Sequence, residues 1–195
     1  GSDGFNKYAN DERWVAQIKA NGQRNVIYID PDGKQQWWNR HKELHRNYNP
    51  PEWLQQEVRD LVGAEPGKWT VLDSELLHAK DASIKHTLYF YDLLVLNGDY
   101  LIGSTYESRF LALQQLLQIK DPVIERKMIK ISPHVYIPQN MHGQEISDAW
   151  ELTKISWVEG FVFKFRNGIL KYGFSSKNNS EWMIKCRKPN NCYRQ

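Results

Sequence analysis

This sequence predicts an α+β fold built from antiparallel β-sheets with helices packed outside them. Three observations carry that expectation. Strand-like segments outnumber helical ones and alternate with them irregularly. Tight-turn signals, Asn21-Gly22 and Asp30-Pro31-Asp32-Gly33, separate neighbouring strand candidates. The chain has 195 residues, 41% hydrophobic and 25% charged, enough for one domain with its own core.

The elements follow in order. Trp14-Val15-Ala16-Gln17-Ile18-Lys19 reads as a strand, as does 25–29 beyond Asn21-Gly22, and a short strand runs through Trp37-Trp38. Pro50-Pro51 prepares a helix over 52–62, with apolar residues at Trp53, Leu54, Val58, Leu61 and Val62. Strands are expected over 69–77 and 86–96. Ser104-Thr105-Tyr106-Glu107 fits a capping box for a helix carrying Phe110, Leu111, Leu113, Leu116 and Leu117. One strand is expected over 128–137, and Ser147 is placed to cap a short helix through Lys154. Further strands are expected over 160–165, 169–172 and 182–186.

Composition excludes a disordered chain, a collagen-like chain and a disulfide scaffold. No apolar run reaches the ~20 residues of a membrane helix, and no signal-peptide pattern opens the chain, so no membrane partner is expected. Gly1-Ser2 reads as a cloning scar. Lys+Arg minus Asp+Glu is 26 − 23 = +3, which permits a polyanionic partner without requiring one. Two cysteines, Cys186 and Cys192, without zinc-ligand company suggest a reducing, cytoplasmic setting. Eight Trp and ten Tyr are an excess that core packing or base stacking could use.

Five short segments carry residue types suited to chemistry. Lys19-Ala20-Asn21-Gly22-Gln23-Arg24 puts a lysine at a strand end before a tight turn; a deprotonated lysine amine is a nucleophile, although such a lysine is more often a solvated terminus. In Asp73-Ser74-Glu75 the two acids share one strand face. Tyr89-Phe90-Tyr91-Asp92 offers an aromatic as core or as base platform. Glu159-Gly160-Phe161-Val162-Phe163-Lys164 opens on a carboxylate and closes on a lysine. Lys185 and Arg187, two apart, share a face that suits phosphate or solvent equally.

Each segment alone is bland, but their order resembles the covalent nucleotidyltransferase superfamily: ATP-dependent DNA ligases, RNA ligases and mRNA capping enzymes. That pattern is K-x-D-G, an S-R segment, D-G-E, an aromatic-D strand, E-G-x-x-x-K, and a last strand like W-x-x-K-x-K. Here the matching positions are Lys19, Asn39-Arg40, Glu75, Tyr91-Asp92, Glu159 to Lys164, and Lys185 to Arg187. The likeness spans 14–188, which it marks as an adenylyltransferase domain, ATP-grasp-like, after an N-terminal segment 1–13 and before a tail 189–195. No OB-fold domain is expected in the remaining tail, so the chain reads as a minimal ligase or an excised catalytic domain. Asn21 and Ser74 depart from the pattern's aspartate and glycine. The first departure is more familiar among RNA ligases; the stretch Asp92 to Asp99 with Glu107-x-Arg109 reads more like a DNA ligase, and DNA is favoured.

The resemblance implies that Lys19 attacks ATP, keeps AMP as a phosphoramidate, passes it to a 5′-phosphate, and that a 3′-hydroxyl then seals the nick. It implies Mg²⁺ at Glu159, with Glu75 as a second candidate; phosphate contacts from Lys164, Lys185 and Arg187; Glu75 on the ribose; Tyr91 stacked on adenine. Gln17 and Ile18 join the nucleotide site, Arg24 and Arg40 meet the nucleotide or the 5′-phosphate, and the positive field favours a neutral Lys19 amine. The implied partner is nicked DNA or an RNA-containing duplex, bound by a monomer, and so compact a ligase would suit a virus or phage. A capping-type guanylyltransferase and a non-catalytic nucleic-acid-binding domain are the competing readings.

Overall fold

The computed structural model describes residues 2–171 and 181–188. Eleven strands form two sheets among them. The small sheet is antiparallel, in the order β1 (Trp14–Ala20), β10 (Val158–Phe165), β11 (Met183–Arg187). The large sheet runs β3 (Gln35–Trp38), β2 (Gln23–Ile29), β4 (Thr70–Leu77), β5 (Thr87–Leu96), β9 (Val135–Pro138), β8 (Met128–Lys130), β7 (Val123–Glu125), with β6 (Asp99–Tyr100) folded back on β5. The one departure from antiparallel pairing is β5 with β9. The chain between them crosses over through α3 (Tyr106–Leu116) and so returns in the same direction.

Alternating side chains sort the core. Ile27, Leu72, Leu76, Leu88 and Phe90 face α2 (Glu52–Val62) and α3, against Leu54, Val58, Phe110 and Leu113. Ala16, Ile18, Phe161 and Phe163 on the small sheet pack with Ile146 of α4 (Gln144–Asp148), Trp150 of the following 3₁₀ helix (Ala149–Lys154), and Trp157. No element is expected before Trp14, yet Ser2–Ala9 forms α1, and Phe5 and Tyr8 lie against Phe163.

Three expectations are corrected. The strand over 128–137 is a hairpin of β8 and β9, because Pro133 lacks the N–H a continuous strand would donate. The cap of α3 is Thr105, whose hydroxyl accepts the Ser108 N–H at 3.2 Å, while Glu107 turns to Arg166 instead of closing a capping box. Ser147 does not start a helix; it lies inside α4, which begins after Gly143. Of the strand over 169–172, Ile169 makes a single bridge to Thr105, and Tyr172 lies outside the described residues, as does the tail 189–195.

Candidate functional site

The chain passes from the small sheet to the large one at Asn21-Gly22, because β1 pairs with β10 whereas β2 pairs with β4. Gly22 makes that crossing possible. A Cβ there would lie 2.6 Å from the Leu76 carbonyl oxygen, and the Gly22 N–H donates to Glu75 Oε1 at 3.1 Å. Lys19 ends β1 beside the crossing. Opposite it, β10 bulges: Lys19 pairs with Gly160 and Ala20 with Val158, leaving Glu159 as the extra residue. Gly160 has φ +142°, and a Cβ would come 2.1 Å from the Cys186 carbonyl oxygen. The bulge therefore requires glycine, and it aims Glu159 at Lys19, whose Nζ donates to Glu159 Oε2.

Strand alternation then fills the cleft. Gln17 and Lys19 on β1 share a face with Val162 and Lys164 on β10 and with Lys185 and Arg187 on β11. The large sheet contributes Arg24, Asp73, Glu75 and Tyr91. Arg24 grips Asp73 with two 3.0 Å hydrogen bonds, and Arg187 Nε stands 3.7 Å from Glu159 Oε2. Tyr91 Oη accepts the Ala20 N–H at 3.4 Å. Lys164 is 4% exposed, donates to the Tyr91 carbonyl at 3.3 Å and lies 4.6 Å above the Tyr106 ring, with no carboxylate partner among the described residues.

The electrostatics record this crowding. Burial pushes Glu75 up to about 7, against the pull of Lys19 and Lys80. Burial pulls Lys164 down to about 8, with Asp92 and Asp73 opposing it. Lys185 is lowered by burial and then by the charges of Lys19, Arg187 and Arg24. Burial would raise Glu159, but the hydrogen bond from Lys19 and the charges of Lys19, Arg187 and Lys80 outweigh it and leave the carboxyl below its ordinary value. Such offsets are typical of sites that handle charged substrates.

No protein-family model and no curated protein matches the sequence. Solved structures do. The ligase domain of M. tuberculosis LigD superposes at a TM-score of 0.56 and 20% identity, over 80% of this chain and 48% of that one. A Lig E DNA ligase gives 0.55 and 16%, over 94% and 65%, and the Chlorella virus DNA ligase-adenylate gives 0.54 and 16%, over 91% and 62%. The fold is that of the nucleotidyltransferase domain of ATP-dependent DNA ligases. At these identities the likeness is one of fold, and the chain spans less than two thirds of each of these ligases. A mycobacterial DNA ligase D of the same fold has been solved with ATP.

Within this ligase fold, the cleft gathers Gln17, Lys19, Arg24, Glu75, Tyr91, Glu159, Lys164, Lys185 and Arg187. Two expected residues stay out. Ile18 is fully buried on the opposite face of β1, in the core with Ala16 and Phe161. Arg40 is exposed on the loop after β3, and its hydrogen-bond partner is His41 Nε2 at 3.1 Å. Others arrive unannounced. Tyr106 and Asn140 hold the Gln17 amide at 2.6 and 2.7 Å, which leaves Gln17 Oε1 buried without a partner. Lys80 reaches Asn21 Oδ1 at 3.2 Å. Ser74 explains one departure from the family pattern: it is buried and donates to the Asn25 carbonyl on β2 at 2.7 Å, a bond that glycine could not make. Among the described residues, no three His, Cys, Asp or Glu side chains form a metal-binding group. Mg²⁺ needs no such cage, since it is held by one or two carboxylates together with substrate phosphates and water. Glu159 and Glu75 fit that use. No helix of the described residues is long and apolar enough to cross a membrane.

Proposed function

We propose that this chain is the catalytic unit of an ATP-dependent polynucleotide ligase, DNA favoured over RNA, which seals 5′-phosphate/3′-hydroxyl nicks through a lysyl-AMP intermediate. One observation carries the reading: a lysine nucleophile candidate, held by Glu159 at the crossing between two sheets, faces a cleft lined by Lys164, Lys185, Arg187 and Arg24.

The residues divide the work. Lys19 Nζ, once its proton has left and its pairing with Glu159 is released, attacks the α-phosphorus of ATP. The N–P bond forms as the bond to the β-phosphate breaks, and pyrophosphate leaves in line. A 5′-phosphate oxygen next attacks the same phosphorus, and Lys19 leaves and regains a proton. The 3′-hydroxyl then attacks the activated 5′-phosphate and expels AMP. Lys164, Lys185 and Arg187 hold phosphate oxygens and disperse their charge. Tyr91 supplies a face for the base, the free Gln17 Oε1 accepts from a base amino group, and Glu75 takes the ribose hydroxyls. Mg²⁺, when bound, would be held by Glu159 with Glu75 nearby and would neutralise phosphate charge. The protein works as a monomer on intracellular nicked duplexes.

Incubation with labelled ATP and Mg²⁺ is expected to leave an acid-labile label on the protein, absent in Lys19→Met; label retained in that variant overturns Lys19 as nucleophile. GTP in place of ATP separates the ligase from a capping-type enzyme. Nicked duplexes with each strand varied between DNA and RNA decide the substrate.

A further inference from the structure

The loop between β4 and β5 delivers a cation to this cleft that no motif contains. Lys80 Nζ donates to Asn21 Oδ1 at 3.2 Å, in the turn that follows Lys19. The loop is held at its base and at its side. Lys85 Nζ donates to the His78 carbonyl at 2.6 Å, and the His86 N–H to His78 Nδ1 at 3.4 Å. Asp81 accepts the Ser83 N–H at 2.9 Å and the hydroxyl of Ser156. Ser156 precedes Trp157, whose carbonyl accepts the Asn21 N–H at 2.7 Å. Loop and nucleophile turn are thus fastened to the same stretch of chain.

Lys80 is exposed, and its one hydrogen-bond partner among the described residues is a neutral amide. An aspartate at position 21 would form an ion pair with it and spend its charge locally. With Asn21 the ammonium is oriented but not neutralised. Asn21 is its hydrogen-bond partner, while the neighbouring carboxylates are engaged elsewhere: Asp81 by Ser83 and Ser156, Glu159 by Lys19, and Glu75 by the Gly22 N–H. A lysine held this way suits a phosphate group, which takes point-like ammonium donors readily.

We infer that Lys80 is a phosphate-binding residue of the Lys19 cleft, pre-positioned by Asn21. This rests on the proposed ligase reading. The phosphate has two possible sources, the pyrophosphate end of the nucleotide and the 5′-phosphate of the nick, and the test separates them.

Calorimetry is to compare the wild-type chain with Lys80→Met and Lys80→Arg, first with pyrophosphate, then with a nicked duplex carrying either a 5′-phosphate or a 5′-hydroxyl. Lys80→Met is expected to weaken one of the two phosphate ligands about tenfold, while Lys80→Arg stays within about threefold. Loss confined to pyrophosphate places Lys80 on the nucleotide. Loss confined to the 5′-phosphate duplex, with the 5′-hydroxyl duplex unaffected, places it on the nick. Unchanged binding of both ligands by Lys80→Met overturns the inference. The covalent-label assay reports on the ligase reading separately: a protein that binds phosphate through Lys80 but never takes label loses that reading and keeps the site. Lys80 is exposed, so the variants retain the fold, which a thermal melt verifies.

Discussion

Arg109 and Lys164 are both buried cations, and they are held in opposite ways. Arg109 grips both oxygens of Asp92, at 2.8 and 2.9 Å, and adds a 2.6 Å bond to the Ser104 carbonyl. Lys164 has a carbonyl and two aromatic faces, and no carboxylate of the described residues pairs with it. Two stacked rings join them: Lys164 lies over Tyr106, Tyr106 stacks on Trp182, and Arg109 lies over Trp182. A buried charge with its counter-ion ties α3 to β5. A buried charge left without one is costly to keep; the proposed phosphate role of Lys164 would give that cost a use.

Three substitutions can break that contrast. The largest effect is expected from Arg109→Ala, which strands Asp92 in the core. A loss of about 3–5 kcal/mol, on the order of 10 °C in Tm, should appear in thermal and denaturant melts. Lys164→Met should do the reverse. Its ammonium is held at about 8 against an ordinary 10.5, so between those values the unfolded chain binds the extra proton and wild-type stability rises with pH. Below pH 8 the wild type carries the whole penalty, and the variant should be more stable by about 2 kcal/mol at pH 7. That gain should fade towards pH 10.5, while nucleotide affinity falls. If Lys164→Met is destabilised as Arg109→Ala is, the two cations play the same role and the contrast fails. Thr105→Ala removes one cap from the helix that carries Arg109 and should cost about 1 kcal/mol, with labelling by ATP unchanged.

Legibility in the sequence follows the same line. Residues that meet their partners through a strand register could be placed from order and alternation. Lys185 and Arg187 share a face, and Asp73 lies beside Glu75. Glu159 is reached through the family resemblance alone, because the bulge at Gly160, and not alternation, turns it to Lys19. Residues that meet across the fold could not. Lys80 stands in a polar loop without pattern, Asn140 in another, and Tyr106 reads in sequence as part of a helix cap although its hydroxyl serves Gln17. Ile18, expected at the nucleotide, is turned away from the cleft by strand alternation. Pro133 was enough to divide one expected strand into two, because a single missing N–H interrupts a ladder. The aromatic excess proves mostly structural. Trp37 is buried beside Tyr48, Trp182 joins the stack between the two cations, and Tyr91 packs against the core beneath the Lys164 ammonium.

The crossing at Asn21-Gly22 has a mechanical side. Lys19 and Glu159 belong to one sheet, so they travel together as a rigid unit. Glu75, Tyr91 and Arg24 belong to the other. A small rotation of one sheet against the other would leave the Lys19–Glu159 pair intact while changing the gap between Lys19 and anything seated on the large sheet. The two-residue link Asn21-Gly22 would be the axle of such a rotation, and Gly22, wedged against Leu76, is where its play would be smallest.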